Sequence, residues 1–437
     1  MLGSKITHFI EILQHFLAQI SQQKSHHETV LRDKQRIAQG VRKFMEKNYE
    51  LRYNILKQTE EFREKSIHHD QSNSDENYIG TDKNFIGSDG AESNTGWKQL
   101  TDRELRKISH QQMEQVGVAW SIDVELYVRS ALVPDYNPVT DYLNRCGAWD
   151  GSDRIRELAQ HVPCTWAQWP DHFHRWFLGM VAQWQQRSRD YGNALVPLLI
   201  GNQGTHKSTF CKLLLPPHLR EYYIDDIKLD NAEQVERMLG RMLLVNIDEY
   251  NAKTEREQAK IKRVLTERDV QTRRMRSDQY VMLPRMASFI ATTNDSTPLT
   301  DPTGSRRYLC CDINGIIDTD VPIDYRQLYA QAVAELDAGH AWYFSKEEEQ
   351  VISQHNQQFR CQSSTESVLL SCFEPAPRSK QYFIRSVDIQ QELSHHVRAT
   401  DIPNLKTLTL ALKACHFLYG SYDGHRGWYA HKICESH

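Results

Sequence analysis

Residues 201–210 read GNQGTHKSTF and follow directly on the apolar run ALVPLLI. Two glycines, then a lysine and two hydroxyl residues, form a pattern that can hold phosphate groups. Gly201 and Gly204 supply permissive φ angles, and the backbone N–H groups of Asn202, Gln203, Thr205 and His206 line the cradle. Lys207 would meet the β- and γ-phosphates, and Ser208 would ligate Mg²⁺. Thr209 follows one residue into the helix, within reach of a phosphate. His206 is the departure, since a glycine usually precedes the lysine. It is expected to point outward from an ordinary α conformation and leave the cradle intact. For the loop alone, a chance match in a structural turn is the alternative.

A phosphate cradle must be placed by a buried strand, and further strands must bring up the groups that complete it. LVPLLI supplies the first strand. DNAEQVERMLG (230–240) follows as a helix, with Asp230 and Glu233 at capping-box spacing and Gly240 suited to its end. RMLLVNIDEY is then a second buried strand, ending in Asp248 and Glu249. Asp248 would hold the Mg²⁺ shell and Glu249 would polarise an attacking water. A third strand, MASFIATTN (286–294), ends in Thr292, Thr293 and Asn294, whose amide can orient the water or sense the γ-phosphate. Three strands ending in polar groups place the ligands at the carboxyl edge of a parallel sheet. DPTGSRRYLCCDI carries Arg306 and Arg307 before another apolar strand. Either could reach a neighbouring subunit's γ-phosphate as a finger, the alternative being a pair of solvated charges.

TERDVQTRRMRSDQYVMLPR reads as two short strands around a turn, with Arg273, Arg274, Arg276 and Arg285 making the hairpin basic. Such a hairpin can contact nucleic-acid phosphates, or form an arginine-rich subunit interface. Near the end of the chain, SVDIQQELSHHV and NLKTLTLALKAC read as helices, and HFLYGSYDGHRGWYAHKI as two strands joined through Asp423-Gly424. That order is winged-helix-like, with Lys406, Lys413, His425 and Arg426 as candidate DNA contacts, the alternative being a protein–protein adaptor.

LIGNQGTHKSTF, LLVNIDEY, ATTN and DPTGSRRYL in this order resemble the virulence-associated E family of phages and mobile elements, which is similar to superfamily 3 helicases within the AAA+ ATPases. The likeness spans about 130–360, from YNPVTDYLNRCGAWDGSDRI to FSKEEEQVI. It implies an oligomeric, hexameric ATPase working on DNA, single-stranded or forked, often encoded beside or fused to a primase. By motif, it assigns Lys207 and Ser208 to phosphate and metal, Glu249 to the second motif's acid, Asn294 to the sensor, and Arg306 or Arg307 to the finger. The basic hairpin becomes the DNA loop.

Composition agrees with a soluble chain: of 437 residues 39% are hydrophobic and 25% charged. A net charge of −4 confines any nucleic-acid surface to a local patch. The nine cysteines are scattered and form no Cys-x-x-Cys pair, so neither a zinc knuckle nor a disulfide framework is supported, and Cys310 and Cys311 read as small buried strand residues. ITHFIEILQHFLAQI is an amphipathic helix rather than a secretory or membrane segment, because Glu11, Gln14 and His15 interrupt it. A reducing cytoplasm is the expected home.

The reading is therefore an α/β fold: an AAA+ P-loop NTPase core with a parallel sheet, a helical N-terminal region and a winged-helix-like C-terminal module. The expected divisions are helical 1–65, a linker 66–96, helical 97–190, the ATPase domain 191–325, a helical extension 326–365, and the terminal module 366–437. The expected activity is ATP hydrolysis with Mg²⁺, coupled to DNA unwinding or translocation in replication. A nucleotide-gated regulator with little turnover is the alternative.

Overall fold

The computed structural model describes residues 24, 29–65, 96–117, 121–187, 192–225, 231–250, 255–267, 269–273, 280–300, 305–398 and 401–433. It divides into two compact units, residues 1–147 with 273–281, and 148–272 with 282–437.

In the first unit a helix α1 (29–48) leads into strands β1 (Tyr49–Asn54) and β2 (Thr59–Glu64). Then come β3 (Lys98–Gln99), α2 (Asp102–Val116), α3 (Ser121–Val128), β4 (Asp135–Tyr136) and α4 (Pro138–Arg145). The four strands form one sheet in the order β3–β2–β1–β4. Residues 49–64 were expected to be helical, as part of the N-terminal region 1–65, and they are a β-hairpin instead. Asn54 turns the chain by accepting the N–H groups of Leu56 and Lys57 through its side chain. Arg52 is bonded to Glu61 across the hairpin and stacks on the rings of Trp97 and Tyr136. The charge-rich composition that suggests a solvated helix here serves a cross-strand ion pair. The expected helix at Ile6–Ile20 and nearly all of the expected linker lie outside the described residues.

The second unit opens with α5 (Arg154–Gln160) and α6 (Trp169–Trp184). Its α/β body follows: β5 (Val196–Ile200), α7 (Lys207–Leu213), β6 (Tyr223–Ile224), α8 (Ala232–Arg241), β7 (Leu244–Ile247) and α9 (Glu255–Thr266). After these come β8 (Asp269–Arg273), β9 (Tyr280–Pro284), β10 (Ser288–Thr293) and β11 (Tyr308–Asp312). Five strands form a wholly parallel sheet in the order β11–β5–β10–β7–β6. Parallel sheets are covered on both faces, which is why β5 and β10 are buried at every position. Cys310 and Cys311 are buried within β11, as their small size suggests. Trp169, Phe173, Trp176, Phe177 and Trp184 line α6 as core, with Phe173 against Phe210 of α7. Helix α8 is capped by Asn231 rather than Asp230, and Gly240 lies buried inside its last turn. There the close approach of Val270 and Leu283 leaves little room for a side chain.

Helices α10 (Tyr325–Asp337) and α11 (Lys346–His355) make up most of the expected helical extension 326–365, and between them Gly339 takes φ +81°. The remaining elements are α12 (Ser364–Cys372), β12 (Phe373–Pro375), β13 (Phe383–Ile384), α13 (Ser386–Leu393), α14 (Leu405–Ala414), β14 (Leu418–Tyr422) and β15 (His425–Lys432). The two helices and the hairpin expected here are all present. Asp423 and Gly424 turn the hairpin with positive φ at both positions.

Candidate functional site

The spatial order of the sheet sets the site. β5 is the first strand of the sheet in the chain, yet β11 lies on one side of it and β10, β7 and β6 on the other. This is a switch point, where loops leaving the carboxyl ends diverge and open a crevice. Residues 201–206 leave β5 at that point. Thr292, Thr293 and Asn294 end the strand beside it, and Asp248 and Glu249 end the next.

Backbone bonds hold the loop tightly. Gly201 donates to Thr293 O at 3.2 Å, Ile313 donates to Ile200 O at 2.8 Å, and Thr205 Oγ1 donates to Asn202 O at 2.9 Å. A Cβ on Gly201 would meet the Ile313 side chain at 3.1 Å, and Gly204 has φ +84°. Both glycines are therefore used. Asn202, Gln203, Gly204, Ser208 and Thr209 are exposed.

Lys207 opens α7 with a side chain that is 8% exposed. Its ammonium donates to Gly201 O and Asn202 O, both at 2.7 Å, to Asn294 Oδ1 at 3.0 Å and to Thr205 Oγ1 at 3.3 Å. Burial lowers its pKa, while the charge of Asp248 works in the other direction. Ser208 Oγ donates to Asp248 Oδ1 at 3.1 Å, and the Thr292 hydroxyl donates to the same oxygen. A serine hydroxyl beside a carboxylate offers hard oxygen ligands of the kind Mg²⁺ takes. The residues thus fit both a phosphate chain and a magnesium ion. Thr292 is the contact that strand-tip reasoning left unassigned; its signal is its place two residues before Asn294.

His206 corrects the expectation about its backbone. It points outward, exposed, with Nδ1 3.5 Å from Thr319 Oγ1, but its φ is +64° and its ψ 22°, a left-handed conformation. A glycine is usual there because an L side chain costs about 1–2 kcal/mol in that region. Glu249 is left-handed too, at φ +49°, and exposed. Both conformations cost backbone energy, as do those of Gln58, Gln186, His416 and Asp423 elsewhere in the described residues. His206→Gly is expected to raise the unfolding free energy by about 0.5–1 kcal/mol, part of the relief being offset by glycine's entropy in the unfolded chain. Urea denaturation checks this, and a loss of stability would contradict it.

Arg306 and Arg307 do not join this edge. They precede β11, whose Tyr308 pairs with Val196 at the opposite end of β5, about 16 Å of strand from the loop. Arg306 is ion-paired to Glu349 of α11 at 2.9 Å, and Arg307 has no polar partner among the described residues. Of the hairpin arginines, Arg273 ends β8, and Arg274 and Arg276 lie outside the described residues. Arg285 corrects the sequence reading. It is 1% exposed and donates to Ala287 O, Leu265 O, Glu267 O and Asn193 O. A guanidinium spent on four backbone carbonyls is not available to nucleic-acid phosphates. Burial pushes its pKa down to about 10.

A family model described as a virulence-associated protein E-like domain matches residues 143–361. The chain belongs to that family. The match encloses every residue of the virulence-associated protein E-like site from Gly201 to Arg307. No curated protein matches the chain. Among solved structures it is similar to the apo C-terminal region of NrS-1 (305–718), at 13% identity, covering 89% of this chain and 97% of that one, with a TM-score of 0.41. An A form apo structure of the same region is 14% identical, covers 84% of each chain and has a TM-score of 0.38. Among the described residues no helix is long and apolar enough to cross a membrane.

Proposed function

We propose that this virulence-associated protein E-like chain is an ATPase that acts on DNA, in the replication of a phage or mobile element. The observation that carries the reading is the convergence of Lys207, Ser208, Asp248 and Asn294 at the carboxyl edge of one parallel sheet. Bound MgATP would supply the scissile phosphoanhydride and a charge to which the phosphate oxygens are anchored. Lys207 would move from its carbonyl partners to the phosphates, and Ser208 and Asp248 would hold the ion. Asn294, already within bonding distance of the lysine, would report on the terminal phosphate. Glu249, which has no polar partner among the described residues, would accept the proton of the attacking water.

Arg306 and Arg307, on the far edge, would serve only a neighbouring chain, which supports a ring, hexameric by family resemblance. The terminal helices and hairpin would be a winged-helix-like module, and a separate primase is a natural partner. Arg273, Arg274 and Arg276 remain the proposed strand-contacting arginines.

Glu249→Gln is the direct test. ATP affinity by calorimetry should stay within about threefold, while DNA-stimulated phosphate release falls by about 10²–10⁴-fold. Unchanged turnover would remove Glu249 from the chemistry. A second reading, a nucleotide-gated regulator with little turnover, is favoured by the left-handed His206 and the fully engaged Lys207. Assembly on ATP without measurable hydrolysis by the unmodified chain would select it.

A further inference from the structure

The terminal module packs one face of its small sheet on its helices: Trp428 and Ala430 of β15, with Ile384 of β13, meet Leu393, Leu408 and Leu412. Strand alternation sends the intervening residues to the opposite face. There Phe383 and Leu418 both pair with Tyr429, Gly420 pairs with Gly427, and Tyr422 pairs with His425. The two glycines are required by close approach. A Cβ on Gly420 would lie 2.7 Å from the Tyr429 ring, and one on Gly427 would lie 2.8 Å from that of Phe383. Both rings therefore lie down along the backbone instead of standing off it. Tyr429 is a buried underlayer, while Phe383 is half-buried and Tyr422 is 37% exposed. The Phe383 and Tyr422 rings are 5.8 Å apart, and Lys380 Nζ sits 5.6 Å from the Tyr422 ring centre.

Charge distinguishes this face from an ordinary apolar patch. Lys380 is exposed and has no acidic partner among the described residues, and His425 stands across from Tyr422. The acid on the neighbouring strand, Glu374, is held by His431 at 2.7 Å. An exposed Tyr422 ring over a half-buried Phe383 ring, beside a lysine with no acidic partner among the described residues, suits a chain of flat bases joined by phosphates. An apolar peptide would leave the lysine without a partner.

We propose that this outer sheet face is a stacking site for single-stranded DNA. It lies off α14, which carries Lys406 and Lys413, and shares only His425 with the contacts the winged-helix reading names. Bases stack on Tyr422 and the edge of Phe383, and Lys380 meets the backbone. The choice of DNA as ligand rests on the functional reading above.

The test is fluorescence anisotropy of a labelled oligo-dT of about 20 nucleotides with the full chain, without ATP. Tyr422→Ala should weaken binding by about tenfold, Tyr422→Phe should stay within about threefold, and Lys380→Glu should weaken binding and flatten its salt dependence. Lys380 is exposed, so Lys380→Glu decides the matter if Tyr422→Ala unfolds early in a melting control. Both variants binding within twofold of the unmodified chain would overturn the proposal. So would Tyr422→Phe losing as much as Tyr422→Ala, or no binding by the unmodified chain. The ATPase reading is judged separately, by MgATP binding, and survives any of these results.

Discussion

Lys207→Ala is expected to abolish nucleotide-dependent behaviour altogether, with hydrolysis at background and MgATP affinity reduced at least about a hundredfold. The substitution also acts on the ligand-free chain. Its ammonium satisfies two loop carbonyls at 2.7 Å, and losing a donor to buried or half-buried carbonyls costs about 1–3 kcal/mol. A lower melting temperature alone would therefore prove nothing about nucleotide. The decisive measurement is the ligand-induced change. Saturating MgATP at a hundred times the dissociation constant stabilises a binding protein by about 2.7 kcal/mol. The unmodified chain should show that upward shift, and Lys207→Ala, starting from its own lower baseline, should show none. An equal shift in both would place the nucleotide, if any, away from this loop.

Arg285→Met is expected to destabilise the sheet unit strongly. Four carbonyls from Asn193, Leu265, Glu267 and Ala287 would lose their donor in a site closed to solvent. The guanidinium also lies over the Phe289 ring at 5.0 Å. The expected loss is about 3–5 kcal/mol, a large share of the ~5–15 kcal/mol that holds a domain together. Arg285→Lys should recover little, because one ammonium cannot span groups that a planar fork reaches at once. Guanidinium denaturation measures both variants, and a change under 1 kcal/mol in either would show that the carbonyls find other partners.

The legible part of the molecule was the part whose chemistry is local. The apolar strands, their polar tips and the loop from Gly201 to Thr209 could be read because each strand carries its own polar group at its end. The terminal hairpin could be read from Asp423-Gly424, which few backbones other than a tight turn accommodate. Arg285 was misread because its neighbours in sequence are basic. Its partners lie up to 92 residues away, and nothing in a window of sequence shows four carbonyls closing around a side chain. Residues 49–64 were misread for the reverse reason: the Arg52–Glu61 pair looks like helix-surface charge until the hairpin brings Trp97 and Tyr136 over it. His206 was half legible. Its side chain could be placed outside the loop, but the sign of φ is a property of the backbone that the residue name does not carry.

Because β10 stands between β5 and β7, the strand that leads into the lysine loop and the strand that ends at the acids are held two inter-strand steps apart, roughly 10 Å. The backbone acts as a ruler, and no side chain needs to be conserved to keep that gap. Apolar residues along the three strands are then free to drift in identity as long as they stay apolar. A one-residue insertion or deletion inside β10 is different in kind, because it would turn Thr292 away from Asp248 and shift Asn294 off the centre line. Divergent relatives should therefore tolerate many substitutions in this strand and almost no change in its length.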